Sequence, residues 1–214
     1  MEIAEKLNQI FHGSSRAHGT FTVENNIIGQ KTQGKAKTIK TVGASIKHWQ
    51  DHLEGKQGLG IIPIDEDNLV KWGAIDIDIY SLNLEKLVNK IEEFKLPLVV
   101  CRSKSGGAHV YCFLKEKAPA ADMQDKLREI AAGLGYGGVE IFPKQREVLV
   151  DRGDIGSWLN MPYFEGDESM RYAFDPKAQA LSLINFISFI EQRLISHEEL
   201  VELEVPVLND IKDG

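Results

Sequence analysis

A chain of 214 residues and 24.0 kDa has room for one large domain or two small modules sharing a core. Its 43% apolar and 27% charged residues are ordinary for a soluble globular protein, and no apolar run approaches the length of a membrane span. The net charge of −7 argues at first against a nucleic-acid partner.

The distribution of charge reverses that argument. Between Asn25 and Gln50 there is no acid, while Lys31, Lys35, Lys37, Lys40 and Lys47 are basic. The tail from Glu191 onward carries seven acids against Arg193 and Lys212, so it supplies −5 of the −7. A basic segment opposite an acidic tail permits local phosphate binding despite the overall sign; a merely solvated lysine-rich loop has the same composition. The N-terminus lacks a signal-peptide pattern, which with the absence of a span predicts a cytoplasmic protein. Cys101 and Cys112 have neither redox nor zinc spacing and fall inside predicted strands, so they are expected in the core.

In chain order, residues 2–11 predict a short amphipathic helix with Ile3, Leu7, Ile10 and Phe11 on one side. From Phe21 to Val42, β-branched residues broken by Gly29 and Gly34 predict short strands or a hairpin with a mobile lysine-rich loop. Ser45 caps a helix through His52, and Gly58–Ile64 reads as a strand. A regular series follows: a strand at 73–80, a helix at 84–95, strands at 98–102 and 109–114, a helix at 120–134 and a strand at 139–142. That β-α-β-β-α-β order is ferredoxin-like, with spatial strand order four, one, three, two and both helices on one face. Further short strands are expected at 148–150 and 157–159. An apolar helix is expected at 181–194, and a last helix, capped by Ser196 and Glu199, runs from His197 to about Glu204.

The stretch Gly73-Ala-Ile-Asp-Ile-Asp-Ile-Tyr80 is central to this series. Ile75, Ile77 and Ile79 alternate with Asp76 and Asp78, so in a strand the isoleucines share one face and the carboxylates the other, roughly 6.6 Å apart along the strand. The isoleucines take the helix-covered side, which leaves the carboxylates on the uncovered face. Like charges so close repel unless a cation sits between them, and a divalent metal with oxygen ligands suits the pair; a solvated edge-strand face that carries two acids has the same pattern. The neighbouring strands can add His109 and Glu140. Ser103-Lys-Ser-Gly-Gly107 is a polar glycine turn whose backbone N–H groups, hydroxyls and lysine suit an anion, although an ordinary hairpin turn has the same composition. Lys144 could meet a phosphate. Asn160 is an amide within an apolar stretch and needs partners if buried.

Together these stretches resemble the archaeo-eukaryotic primase superfamily, in particular the primase-polymerases of phages and mobile elements and the related conflict-system branch. The resemblance covers about half the chain, from His52-Leu-Glu-Gly-Lys56 through Leu59-Gly-Ile-Ile-Pro63 to Pro162. Asp76-x-Asp78 resembles the first metal motif and Ser105-Gly-Gly-x-His109 the Ser-x-His nucleotide motif. Ile141-Phe-Pro-Lys-Gln145 resembles the third motif, and Gly156-x-x-x-Asn160-x-Pro162 the element after it. Some relatives carry the third acid as an Asp one residue earlier, where this chain has Val139; Glu140 is the acid available, and a one-residue offset reverses its face in a regular strand.

The resemblance implies an α+β fold in which an RRM-like catalytic sheet packs on an N-terminal α/β module. Residues 1–68 would form that module with its basic segment, 69–165 the catalytic module, and 166–214 the C-terminal helices and acidic tail. The implied activity is DNA primase/polymerase: divalent-metal-dependent nucleotidyl transfer that makes or extends primers on single-stranded DNA. The implied cofactors are two Mg²⁺ or Mn²⁺ ions on Asp76, Asp78 and Glu140, with no zinc. The implied nucleotide contacts are Arg102, Ser103, Lys104, Ser105, Gly106, Gly107, His109, Lys144, Gln145 and Asn160. Lys31, Lys35, Lys37, Lys40 and Lys47 would track the template, and a helicase or accessory priming subunit is an implied partner. A metal-dependent nuclease and a non-catalytic RRM-like single-strand-binding module are the competing readings.

Overall fold

The computed structural model describes residues 2–25, 27 and 30–207. The elements run α1 (Ile3–Ile10), β1 (His18–Asn25), β2 (Gln33–Ile39), α2 (Ile46–Leu53), β3 (Gly58–Ile61), β4 (Leu69–Ile77), α3 (Leu84–Glu93), β5 (Val99–Arg102), β6 (Ala108–Pro119), α4 (Ala120–Gly133), β7 (Glu140–Phe142), β8 (Leu159–Asn160), α5 (Leu183–Arg193) and α6 (His197–Glu202). They form two four-stranded sheets, ordered β2-β1-β3-β8 and β5-β6-β4-β7. The second sheet is antiparallel throughout and has the strand order expected from the β-α-β-β-α-β pattern.

Local chemistry accounts for the helix boundaries. The Asn83 side chain accepts from the Lys86 N–H at the start of α3, and Ser45 and Ser196 each close a capping box with the residue three positions on. Helix α3 buries Leu87, Val88 and Ile91, while α4 buries Met123, Leu127, Ile130 and Ala131. Both pack on the face of the second sheet that carries Ile75, Ile77, Val100 and Val110.

The opposite face departs from expectation. The sequence pattern leaves it uncovered; instead Trp72, Ala74, Cys101, Tyr111, Phe113 and Phe142 form a second core with α1, α2 and α5. Phe11 is its hub, lying 5.3–5.5 Å from the rings of Trp49, Trp72, Tyr111 and Phe113. At Asp76 the end of the sheet opens into a cleft. Both cysteines are buried and unpaired, as core packing requires.

Several predicted boundaries shift. The strand placed at 73–80 runs from Leu69 to Ile77, so Asp78 lies just beyond its end and Ile79 is 43% exposed rather than buried with the other isoleucines. The strand expected at 58–64 stops at Ile61, because Ile62-Pro63-Ile64 leaves the sheet to pack in the first core. The strand expected at 148–150 is replaced by a 3₁₀ turn over Val150–Arg152, and the next strand is Leu159–Asn160. That last strand pairs with β3, so the chain returns from the second sheet to complete the first. Gly29 and the tail residues Asp210, Lys212 and Asp213, which entered the charge and loop readings, lie outside the described residues.

Candidate active site

Register brings the acids together. In the second sheet Asp76 stands opposite His109 of β6 on one side and Glu140 of β7 on the other. Directly paired residues share a face, so all three project to the same side. Gly138 adopts a positive φ of 87°, and β7 begins two residues later at Glu140, so Glu140 rather than Val139 takes the position opposite Asp76. One carboxylate oxygen each from Asp76, Asp78 and Glu140 lies within 4.8 Å of the others.

The unsatisfied member of this cluster is Asp76. Asp76 is 9% exposed, and its Oδ1 is buried without a hydrogen-bond donor among the described residues. His109 Nε2 is 3.3 Å from that atom but lacks hydrogen-bond geometry. Burial raises the Asp78 carboxyl above its ordinary range and the Asp76 charge raises it further, against the pull of His109 and Lys31. Glu140 accepts from Lys144 Nζ at 2.8 Å. Three hard oxygen donors with one buried, orphaned lone pair fit a divalent cation.

The polar turn between β5 and β6 forms the neighbouring wall. Ser103 N–H donates to the Gly107 carbonyl and Gly106 N–H to the Ser103 carbonyl, both at 3.0 Å. At Gly107 an added Cβ would stand 2.2 Å from the Ile77 carbonyl oxygen, so only glycine lets the turn lie this close to the strand that carries the acids. From just before β2, Thr32 N–H donates to Ser105 Oγ at 2.9 Å and Thr32 Oγ1 to the Lys104 carbonyl at 3.0 Å. Lys104 Nζ lies 4.5 Å from the centre of the Phe21 ring.

A cleft of about 230 Å³ opens over these groups. Of the residues expected at the site, it brings together Asp76, Asp78, Glu140, His109, Ser103, Lys104, Ser105, Lys144, Asn160 and Lys31. Gly106 and Gly107 shape the turn rather than the lining. Arg102 turns away and donates to the Met170 carbonyl at 3.2 Å. Gln145 is spent on Ser157, donating to its Oγ at 2.8 Å and accepting from its N–H at 3.0 Å. The other lysines stand apart from the cleft: Lys35 pairs with Glu24 at 3.3 Å, Lys47 pairs with Asp51 at 2.7 Å, and Lys37 and Lys40 are exposed.

Comparison with known proteins gives the family. The sequence matches the TOTE conflict system, Archaeo-Eukaryotic Primase domain over residues 20–174, well over half of the chain. The chain belongs to this family. Membership carries primase- and polymerase-type nucleotidyl transfer as the chemistry of the group. Among solved structures, the AEP domain of the cyanophage S-2L primase-polymerase (PrimPol) is similar at 12% identity and a TM-score of 0.46, over 88% of this chain and 96% of that one. No curated protein matches the sequence. No helix among the described residues is long and apolar enough to cross a membrane.

Sequence reasoning missed four residues that line the cleft of this primase-family domain: Tyr80, Phe142, Trp158 and Leu159. Trp158 is the most informative. Gly19 and Gly60 are direct cross-strand partners, and a Cβ on either would come within 2.1 Å of the indole, so the glycine pair is a flat seat for the ring. Its Nε1 donates to Thr38 Oγ1 at 3.0 Å. Two glycines facing one another were the available signal, but register across a sheet is invisible locally. Beside Trp158, Asn160 Oδ1 is buried without a donor among the described residues.

Proposed function

We propose that this domain catalyses template-directed nucleotidyl transfer on single-stranded DNA, making or extending primers with Mg²⁺ or Mn²⁺. The observation that carries the reading is the convergence of three carboxylate oxygens within 4.8 Å, one of them on a buried and unsatisfied side chain, beside a serine-lysine turn in the same cleft. Asp76, Asp78 and Glu140 would hold the cations, which supply neutralising charge for a triphosphate and its pyrophosphate leaving group and acidify the attacking 3′-hydroxyl.

The chain's own groups do the rest. Ser103, Lys104, Ser105 and His109 bind the triphosphate with hydroxyl, ammonium and imidazole donors. Lys144 holds Glu140 until a phosphate competes for its ammonium. The half-buried Trp158 face and the Asn160 amide contact the base or sugar, a stacking surface paired with a polar contact. Lys31 at the cleft, with Lys35 and Lys37 on β2, guides the template backbone, which makes binding salt-sensitive.

The test is one gel with a labelled single strand, nucleoside triphosphates and Mg²⁺ or Mn²⁺, run with and without a primer. A labelled primer that lengthens, or new oligonucleotides that take up labelled nucleotide on the unprimed strand, support transfer. Shortened strands would point to a nuclease instead. An unchanged strand that binds equally well without metal would leave a binding module.

A further inference from the structure

A second hollow lies on the far side of Lys104. It has a volume of about 140 Å³ and is lined by Val23, Thr32, Lys104, Phe164, Glu165, Ser169, Met170 and Arg171. Lys104 faces both this hollow and the acidic cleft. The segment holding Arg171 is placed by the sheet: Ala173 bridges Cys101, and Arg102 N–H donates to the Tyr172 carbonyl at 2.9 Å. Arg171 therefore sits at the end of β5 where the Ser103 turn begins.

Arg171 is unusual for a buried cation. It is 6% exposed, yet among the described residues it makes no salt bridge. Its guanidinium has five N–H donors, and among the described residues it donates one long hydrogen bond, 3.4 Å from Nη1 to the Met161 carbonyl, while lying 5.0 Å from the centre of the Phe164 ring. Lys104 is likewise without a carboxylate partner among the described residues. Buried charges are ordinarily paired, because an isolated one loses its hydration without return.

We propose that this hollow is a second phosphate-binding site, in which Arg171 and Lys104 hold a phosphate group from either a nucleotide's polyphosphate tail or the 5′ end of a strand. Two cations face one carboxylate, Glu165, which is exposed and beyond ion-pair distance, so the hollow keeps a net positive charge. The Ser169 Oγ accepts from the Arg171 N–H at 2.9 Å, which leaves its own hydrogen to donate to an anion. Burial lowers the Arg171 guanidinium to about 10 despite Tyr111 and Glu165, and burial followed by the Arg171 charge lowers the Lys104 ammonium. A phosphate between them relieves both effects and is matched by the planar guanidinium fork. The two sources rest on the nucleotidyl-transfer reading; the phosphate affinity itself does not require catalysis.

The test is calorimetric titration in EDTA with inorganic tripolyphosphate, and separately with one oligonucleotide carrying either a 5′-phosphate or a 5′-hydroxyl. Arg171→Met is expected to weaken phosphate binding about tenfold or more, and Glu165→Gln to tighten it a few-fold. Loss for tripolyphosphate assigns the nucleotide tail, and loss of preference for the 5′-phosphorylated strand assigns the strand end. Wild-type affinity for both probes in Arg171→Met overturns the proposal. If circular dichroism shows that Arg171→Met does not fold, Glu165→Gln decides: tighter binding supports the site and unchanged binding overturns it. Because no metal ion or incorporation is involved, failure here is distinct from failure of nucleotidyl transfer.

Discussion

Replacing His52 by glutamine should make the fold less sensitive to mild acid. His52 is fully buried, and its two nitrogens tie helix α2 to β3 and to the Pro162 turn. Nδ1 accepts from the Leu59 N–H at 3.0 Å, and Nε2 donates to the Pro162 carbonyl at 2.8 Å. That assignment requires a neutral ring, since a proton on Nδ1 would face the Leu59 N–H. Burial therefore lowers the imidazole from 6.5 to about 3, with the Arg171 charge adding to the effect and the Pro162 carbonyl opposing it. The unfolded chain takes up a proton near pH 6.5 and the folded one does not, so this contribution is complete above pH 6.5 and is lost as pH falls toward 3. Between pH 7 and pH 4.5 the loss amounts to about 2.5 kcal/mol at ~1.36 kcal/mol per pH unit. Urea unfolding at pH 7 and pH 4.5 measures it. A glutamine side chain in this place can accept from Leu59 and donate to Pro162 without titrating. His52→Gln should start about 1–2 kcal/mol less stable at pH 7 but lose about 2.5 kcal/mol less on acidification than the wild type. Parallel losses in the two proteins would refute the neutral, pinned histidine, and with it the account of how β3 and the Pro162 turn are held beside the cleft.

Two further predictions concern the cleft itself. Lys144→Met removes the ammonium that competes with a cation for Glu140; the pair is partly exposed, so stability should change by less than about 1 kcal/mol, while nucleotide-free Mn²⁺ affinity, read by paramagnetic resonance, rises about two- to fivefold. Unchanged or weaker Mn²⁺ binding would remove Glu140 from the ligand set. Gly107→Ala forces a methyl group against the Ile77 carbonyl and should cost about 1–3 kcal/mol in urea unfolding, along with nucleotide affinity. A loss below about 0.5 kcal/mol would mean that the turn is not held against β4 as described.

The strand order of the second sheet was legible because each of its elements carries its own period. Leu87, Val88 and Ile91 repeat at helical spacing, and Ile75 and Ile77 alternate with Asp76. The end of β4 was not legible, because alternation continues through Asp78 and Ile79 after the backbone has left the sheet. The second covered face was equally hidden. It depends on α1 and α5, at opposite ends of the chain, meeting around Phe11 and Phe186. Asp76, His109 and Glu140 could be placed on adjacent strands because strand order makes those strands neighbours; the register that sets them opposite one another comes from the folded sheet. Arg171 could not: nothing around Ser169-Met170-Arg171 announces a site, and its position follows from the pairing of Ala173 with Cys101 far away in sequence. Trp158 belongs to the same class, since its seat is made by two glycines on strands that meet only in the folded sheet.

Nucleotide incorporation on a primed single-stranded template, with Mg²⁺ or Mn²⁺, tests the account most directly when the wild type is compared with the Asp76→Asn, Asp78→Asn double variant. The account predicts primer extension by the wild type and a loss of at least about a thousandfold in the variant, with its fold intact by circular dichroism. Extension undiminished in the double variant, or none by the wild type with either cation, would contradict it.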